Sequence, residues 1–151
     1  MGFKQITQQP EIDRQIERNI EARKRVLARS LAVVGEKAVN KARERGSYTD
    51  RTGNLRSSTG YIVVVDGKVI DGKGVSFKAV KDGRQGAAEG KAYAEKLADM
   101  FPSGVALVVV AGMKYAHYVQ KRGYDVTFSA EALASRLLYD LGMPNAKRIE
   151  G

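Results

Sequence analysis

Residues 47 to 65, SYTDRTGNLRSSTGYIVVV, join a long charged segment to an apolar one, and their reading decides the fold. Tyr61-Ile62-Val63-Val64-Val65 is aromatic and β-branched, which suits a strand. Asp66-Gly67 gives a two-residue hairpin signal before Lys68-Val69-Ile70. On the other side, Ile12, Ile16, Ile20, Leu27, Leu31, Val34, Ala38 and Ala42 recur at threes, fours and sevens, one apolar stripe at helical period. Pro10 suits the first turn of such a helix, and Glu11 and Asp13 suit its positive end. Lys41, Arg43, Arg45 and then Gly46 close it. A helix over about 10–45 is therefore predicted, with a bend at Gly35. At about 1.5 Å per residue it would run roughly 50 Å, more than a small domain needs. Arg14, Arg18, Arg23, Lys24, Arg25 and Arg29 crowd its first half, which is the expected overhang.

Beyond the hairpin, Asp71-Gly72-Lys73-Gly74 bends the chain into an extended run from Val75 to Val80. The stretch KDGRQGAAEG, Lys81 to Gly90, is glycine-rich and predicts a mobile loop. Lys91 to Met100 is read as helix and stops before Pro102. VALVVV, Val105 to Val110, is apolar throughout and predicts a central strand buried on both faces. Tyr115 to Lys121 fits a short helix ended by Gly123, and Val126-Thr127-Phe128 a short extended piece. Ser129 is the expected cap of a last helix carrying Leu133, Leu137, Leu138 and Leu141, with Gly142 and Pro144 as its stop and a loose tail over 143–151. The expected fold is α+β in a single domain, 1–151. It consists of a long N-terminal helix, a mainly antiparallel sheet of about four strands, and two or three further helices packed on it.

The 151 residues hold 26 basic and 17 acidic side chains, a net charge of +9, and no cysteine. Structural disulfides and thiolate metal sites are thereby excluded. No apolar run approaches the roughly 20 residues of a membrane span, and MGFKQITQQPEIDRQ lacks the apolar centre of a secretory signal. A soluble chain in a reducing compartment is expected. The positive charge favours polyanionic neighbours or acidic protein surfaces.

The candidate chemistries are thin. His117 is the only histidine, so histidine-based metal clusters are excluded. It could join a serine and Asp125 or Asp99 in a hydrolytic triad, but no serine sits in a GxSxG setting. Asp66, Asp71 and Asp82 each precede glycine and read as turn residues, not as a calcium loop. GRQGAAEGK falls short of a Walker loop, because Ala92 stands in place of the hydroxyl and the glycine spacing is wrong. No paired carboxylates, cofactor motif or metal set is found. Lys68, Lys73, Lys78, Lys81, Arg84 and Lys91 are denser, and fit either a solvated face or a phosphate-contacting one.

Tyr48-Thr49-Asp50-Arg51-Thr52-Gly53-Asn54-Leu55-Arg56-Ser57-Ser58, between long helix and hairpin, resembles a segment of a tailed-phage family. These are the head–tail joining, or tail-completion, proteins of long-tailed phages, with a TG-x-L-R-x-S-like segment after the first helix. They also carry a YAxYVE-x-G-like element after a buried strand. This chain has Tyr115-Ala116-His117-Tyr118-Val119-Gln120-Lys121-Arg122-Gly123-Tyr124-Asp125-Val126 there. Gln120 stands where glutamate is usual, and two residues precede the glycine instead of one. The resemblance runs from about residue 10 to 141.

It implies a non-enzymatic virion protein that leaves the host cytoplasm for the neck or tail end of the particle. There it would form a ring, hexameric in the family's pattern, around the DNA channel and against neck and tail-tube proteins. Under that resemblance Leu55 anchors the turn, and Asn54, Thr52, Ser57 and Ser58 satisfy backbone groups. Arg51 and Arg56 are the expected grip on a neighbouring subunit, with Asn54, Tyr115, Tyr118 and Tyr124 beside them. Lys73, Lys78, Lys81 and Arg84, on the loop from Asp71 to Gly90, are the candidates for facing DNA in a lumen. The alternative is a non-specific nucleic-acid-binding module using the basic helix and the lysine-rich loop.

Overall fold

The computed structural model describes residues 2–4 and 6–143, so the expected tail from 144 onward, Pro144 included, lies outside the described residues. The fold is α+β. Helix α1 (Gln9–Arg45) runs 37 residues with Pro10 in its first turn. It is continuous through Gly35, which is buried and faces the Tyr61 ring; a Cβ there would stand 2.6 Å from that ring. Gly35 is thus a contact glycine, and the helix does not break there. One helical turn, α2 (Asn54–Ser58), leads directly into β1 (Thr59–Val65). Strand β2 (Lys68–Val69), a 3-10 turn at Gly72–Gly74 and β3 (Val75–Ser76) follow. Then come α3 (Arg84–Ala98), β4 (Val105–Ala111), α4 (Ala116–Lys121) and α5 (Phe128–Asp140).

Strand β1 is the centre of the sheet. Along one side it pairs antiparallel with all of β4, from Thr59 opposite Ala111 to Val65 opposite Val105. Its other side is shared by two short partners, β2 at Val64 and Val65 and β3 at Tyr61 and Ile62. This corrects the reading of VALVVV: it is an edge strand, and the strand buried from end to end is TGYIVV. A run that is apolar on both faces reports only that both faces are covered. It does not report how many neighbours the strand has.

Both faces are indeed covered. Strand side chains alternate sides, so Ile62, Val64, Val108 and Val110 meet Ala94 and Ala98 of α3. Tyr61 and Val63 meet Leu31, Ala32 and Val39 of α1 on the opposite face. Helix α5 lies on α1 through Ala38, Ala42 and Ala130, small side chains that let the two backbones come close.

Helix α3 begins seven residues earlier than expected, so KDGRQGAAEG is a turn followed by helix and not a mobile loop. Gly86 and Gly90 are buried on the face of α3 that meets α2 and the start of β1. A Cβ on Gly86 would fall 2.1 Å from the Asn54 carbonyl oxygen, and one on Gly90 2.3 Å from that of Ser58. These glycines serve close backbone approach. In α5 the helix starts one residue ahead of Ser129, whose amide donates to Asp125 Oδ1. The aspartate, and not the serine, provides that end with a side-chain acceptor. Residues 126–128 form no strand.

The first turns of α1 extend past the sheet, and Ile16 and Ile20 are about half exposed. The helix is fastened where Lys24 Nζ meets Asp66 Oδ2 at 2.7 Å, while Asp66 Oδ1 accepts the Gly104 amide at 2.8 Å. Lys24, then Gly104, lowers the Asp66 pKa below its ordinary 3.8. Lys78 likewise lowers that of Glu36 below 4.5 through a 2.9 Å pair. A depressed carboxylate stabilises above its unfolded pKa, and that contribution is lost as pH falls through the folded value. The urea midpoint is therefore expected to drop below about pH 4.5. An Asp66→Asn/Glu36→Gln variant should show a shallower acid limb, with the two converging at about 1 M salt. Parallel acid limbs would remove both pairs from the account.

Candidate assembly surface

The stretch 47–58 is held by Asp50. Its Oδ1 accepts the Gly53 amide and its Oδ2 the Arg56 amide, both at 2.9 Å. Gly53 has φ +80°, and a Cβ there would lie 2.0 Å from the Val80 carbonyl oxygen, so the turn requires glycine twice over. The amides that a phosphate would have used already have a carboxylate on them. The stretch is a built corner held by its own carboxylate.

The polar side chains of the corner satisfy backbone groups, as expected. Asn54 Oδ1 accepts the Gly86 amide at 3.1 Å, and Ser57 Oγ accepts that of Val80 at 2.7 Å. Thr52 Oγ1 accepts the Asn54 amide at 3.4 Å. Ser58 Oγ donates to the Leu55 carbonyl at 2.8 Å and accepts the Met113 amide at 3.3 Å. Leu55 is buried.

Two arginines cross the corner in opposite directions. Arg43, from α1, donates through Nη2 to the Thr59 carbonyl at 2.7 Å and through Nε to that of Arg56 at 3.4 Å. Burial lowers its pKa. Arg56 donates back to the Gly46 carbonyl at 3.0 Å, with its guanidinium carbon 5.6 Å from the centre of the Tyr48 ring. Burial raises the Tyr48 phenol, and the Arg56 charge opposes it. The Arg56 guanidinium is thus engaged inside the chain, whereas Arg51 is exposed. In the sequence Arg43 is marked only as part of a basic last turn, and nothing local signals the carbonyls it reaches.

The second motif packs against the first. Tyr48 and Leu55 share one buried cluster with Ala116 and Val126, joined by Met113 and Val119. The Asp125 amide donates to Ser47 Oγ at 3.3 Å. Burial raises the Tyr115 phenol, and the charges of Asp50 and Glu89 add to the shift. Tyr115, Tyr118 and Tyr124 are exposed. Arg51 and the three tyrosines are therefore side chains left to solvent on two segments that share one core. Asn54 and Arg56 point inward to partners of their own.

The basic candidates do not share a loop. Lys73 lies in the 3-10 turn, where its carbonyl accepts the Tyr61 hydroxyl at 2.8 Å. Lys78 pairs with Glu36 of α1, and Lys81 donates to the Asp50 carbonyl at 2.9 Å. Arg84 opens α3 and is exposed. The expectation of one mobile lysine-rich loop over 71–90 is corrected by these contacts and by α3 itself.

His117 is exposed and stands edge-on to Tyr118 at 6.1 Å between centroids. Among the described residues no hydrogen bond joins it to a serine or aspartate, and no group of three histidine, cysteine or acidic side chains is placed to hold a metal. No helix of the described residues is long and apolar enough to cross a membrane. No family model, no curated protein and no solved structure matches this chain.

Proposed function

We propose that this chain is a structural assembly protein of the phage head–tail junction, a tail-completion or neck component that acts by ring-like self-association around the DNA channel. The single observation that carries the reading is the packing of the two resembling segments, 47–58 and 115–126, around Leu55, Ala116 and Val126. That arrangement leaves Arg51, Tyr115, Tyr118 and Tyr124 exposed on adjoining segments. Arginine and tyrosine are the side chains that interfaces favour, because each offers large contact area with directed polar groups. The reach of α1 beyond the sheet supports the same reading. In a closed ring each subunit presents two different surfaces, and a helix that outruns its own core provides one of them. Neck and tail-tube proteins are the proposed neighbours, in the virion after assembly and in the host cytoplasm before it.

Arg51→Ala/Tyr118→Ala is the variant that tests it, since both side chains are exposed and the fold does not depend on them. It is expected to melt with the parent protein yet to lose oligomers in sedimentation velocity and to fail in joining heads to tails. Undiminished oligomers and unchanged phage titre would sink the assignment.

A nucleic-acid-binding reading has one observation in its favour. Arg14, Arg18, Arg23, Arg25 and Arg29 are all exposed along the first half of α1. It requires tight duplex binding by the isolated protein, with affinity falling about 0.9 log units per phosphate neutralised for each decade of salt. Glu11, Asp13, Glu17 and Glu21 interrupt that face, and so the assembly reading is preferred.

A further inference from the structure

The sheet has one long open edge. Gly104 accepts from the Asp66 amide and the Gly112 amide donates to Ser58, which fixes the phase of the β1–β4 ladder. The even-numbered residues of β4 exchange backbone bonds with β1. The N–H and C=O groups of Val105, Leu107, Val109 and Ala111 therefore face away from it, and no strand of the described residues pairs with them. Along that edge runs a groove of 1220 Å³. One wall is Leu97, Met100 and Phe101, the other Phe128 and Leu138. A row of unpaired peptide groups between two apolar walls has the shape of a missing strand.

The chain carries a matching segment. Gln8, immediately before α1, is extended, and no helix or strand is formed before it by the described residues. Phe3 and Ile6 are both fully exposed. Lying an odd number of residues apart, they would point to opposite faces of a strand, one toward each wall. Residues 2–8 would span about 23 Å when extended, as do the seven residues of β4. They cannot lie along their own groove: its near end, where Gly104 meets Asp66 and Lys24, is already about 22 Å along α1 from Gln9, which uses up the whole arm. Leu31, the α1 residue that lines it, lies about 33 Å along the helix axis from Gln9.

We infer that residues 2–8 of one copy add as a strand to the open edge of β4 in a second copy, so that each subunit gives an arm and receives one. This rests on the self-assembly reading above and names a surface for it. The contact is head-to-tail, which is the kind that closes rings.

Three forms of the full chain test it. Phe3→Asp/Ile6→Asp alters side chains that are exposed in the monomer. Val109→Pro removes an outward amide and spares the β1 ladder. Wild type is expected to oligomerise in sedimentation velocity as concentration rises, with the amides of Val105, Leu107, Val109 and Ala111 slowing in hydrogen exchange at least tenfold. Each variant alone should stay monomeric, and their mixture should stop at a one-to-one dimer, since only one arm and one groove remain. The inference is overturned if wild type stays monomeric, if the arm variant assembles like wild type, or if those amides exchange equally fast in the assembled state. Assembly that survives the arm variant but is lost in Arg51→Ala/Tyr118→Ala removes the arm and leaves the ring reading standing.

Discussion

Gly86→Ala is expected to destabilise the protein by about 2 kcal/mol or more, the reverse of what a helical glycine ordinarily gives. In an exposed helix interior, replacing glycine by alanine gains about 1 kcal/mol. Here the added methyl would lie 2.1 Å from the Asn54 carbonyl oxygen and 2.7 Å from its carbon, backbone atoms that no rotamer change can move. Overpacking of this kind costs about 3 kcal/mol. The net loss corresponds to roughly 4–8 °C in thermal midpoint for a domain of this size. Gly90→Ala meets the Ser58 carbonyl oxygen at 2.3 Å and is expected to match it. The two together threaten a total stability of only about 5–15 kcal/mol. Ala88→Gly, on the exposed side of the same helix, provides the control, with a cost of about 1 kcal/mol. Melts followed by circular dichroism decide the matter, and a Gly86→Ala midpoint at or above the parent's would refute the packing role.

Those glycines also mark where the sequence misleads. Gly83, Gly86 and Gly90 within ten residues carry the composition of a mobile loop, yet Arg84 to Ala98 is helix. What composition cannot reveal is a partner backbone, and the partner here is α2, some thirty residues earlier in the chain. The same limit hid the position of β4. Its apolar run reported helices packed on both faces, but only Val108 and Val110 are buried, and an unpaired edge leaves no trace in side-chain chemistry. Where the signal is local, the reading and the structure agree. Pro10 and the helical stripe gave α1, and Asp66-Gly67 gave the hairpin, with φ values of +49° and +76° at the turn. The corner lies between these cases. The resemblance implies the work of its hydroxyls and of Leu55, whereas the inward turn of Arg56 depends on Tyr48 and Gly46 lying beneath it.

Arg43→Met should cost about 3 kcal/mol, roughly 6–12 °C in thermal midpoint, although the residue sits in the last turn of its helix. Thr59 is buried, and its carbonyl faces away from β4 and ahead of the first β3 pair, where Arg43 donates to it. Methionine fills the same length without a donor and leaves a buried acceptor with nothing, the most expensive way to break a hydrogen bond. Arg43→Lys is expected to recover only part of the loss, since one ammonium cannot reproduce the guanidinium's two-directional reach to Thr59 and Arg56. Because Arg56 returns the gesture to Gly46, the two arginines close the α1–α2 corner from both sides. A double-mutant cycle between Arg43→Met and Arg56→Ala should therefore show coupling well above the roughly 0.5 kcal/mol scatter of independent sites. Additive losses would mean that each arginine merely fills its own space. Coupled losses would mean that the corner folds as a unit, and that the orientation of Arg51 and the neighbouring tyrosines is set by α1.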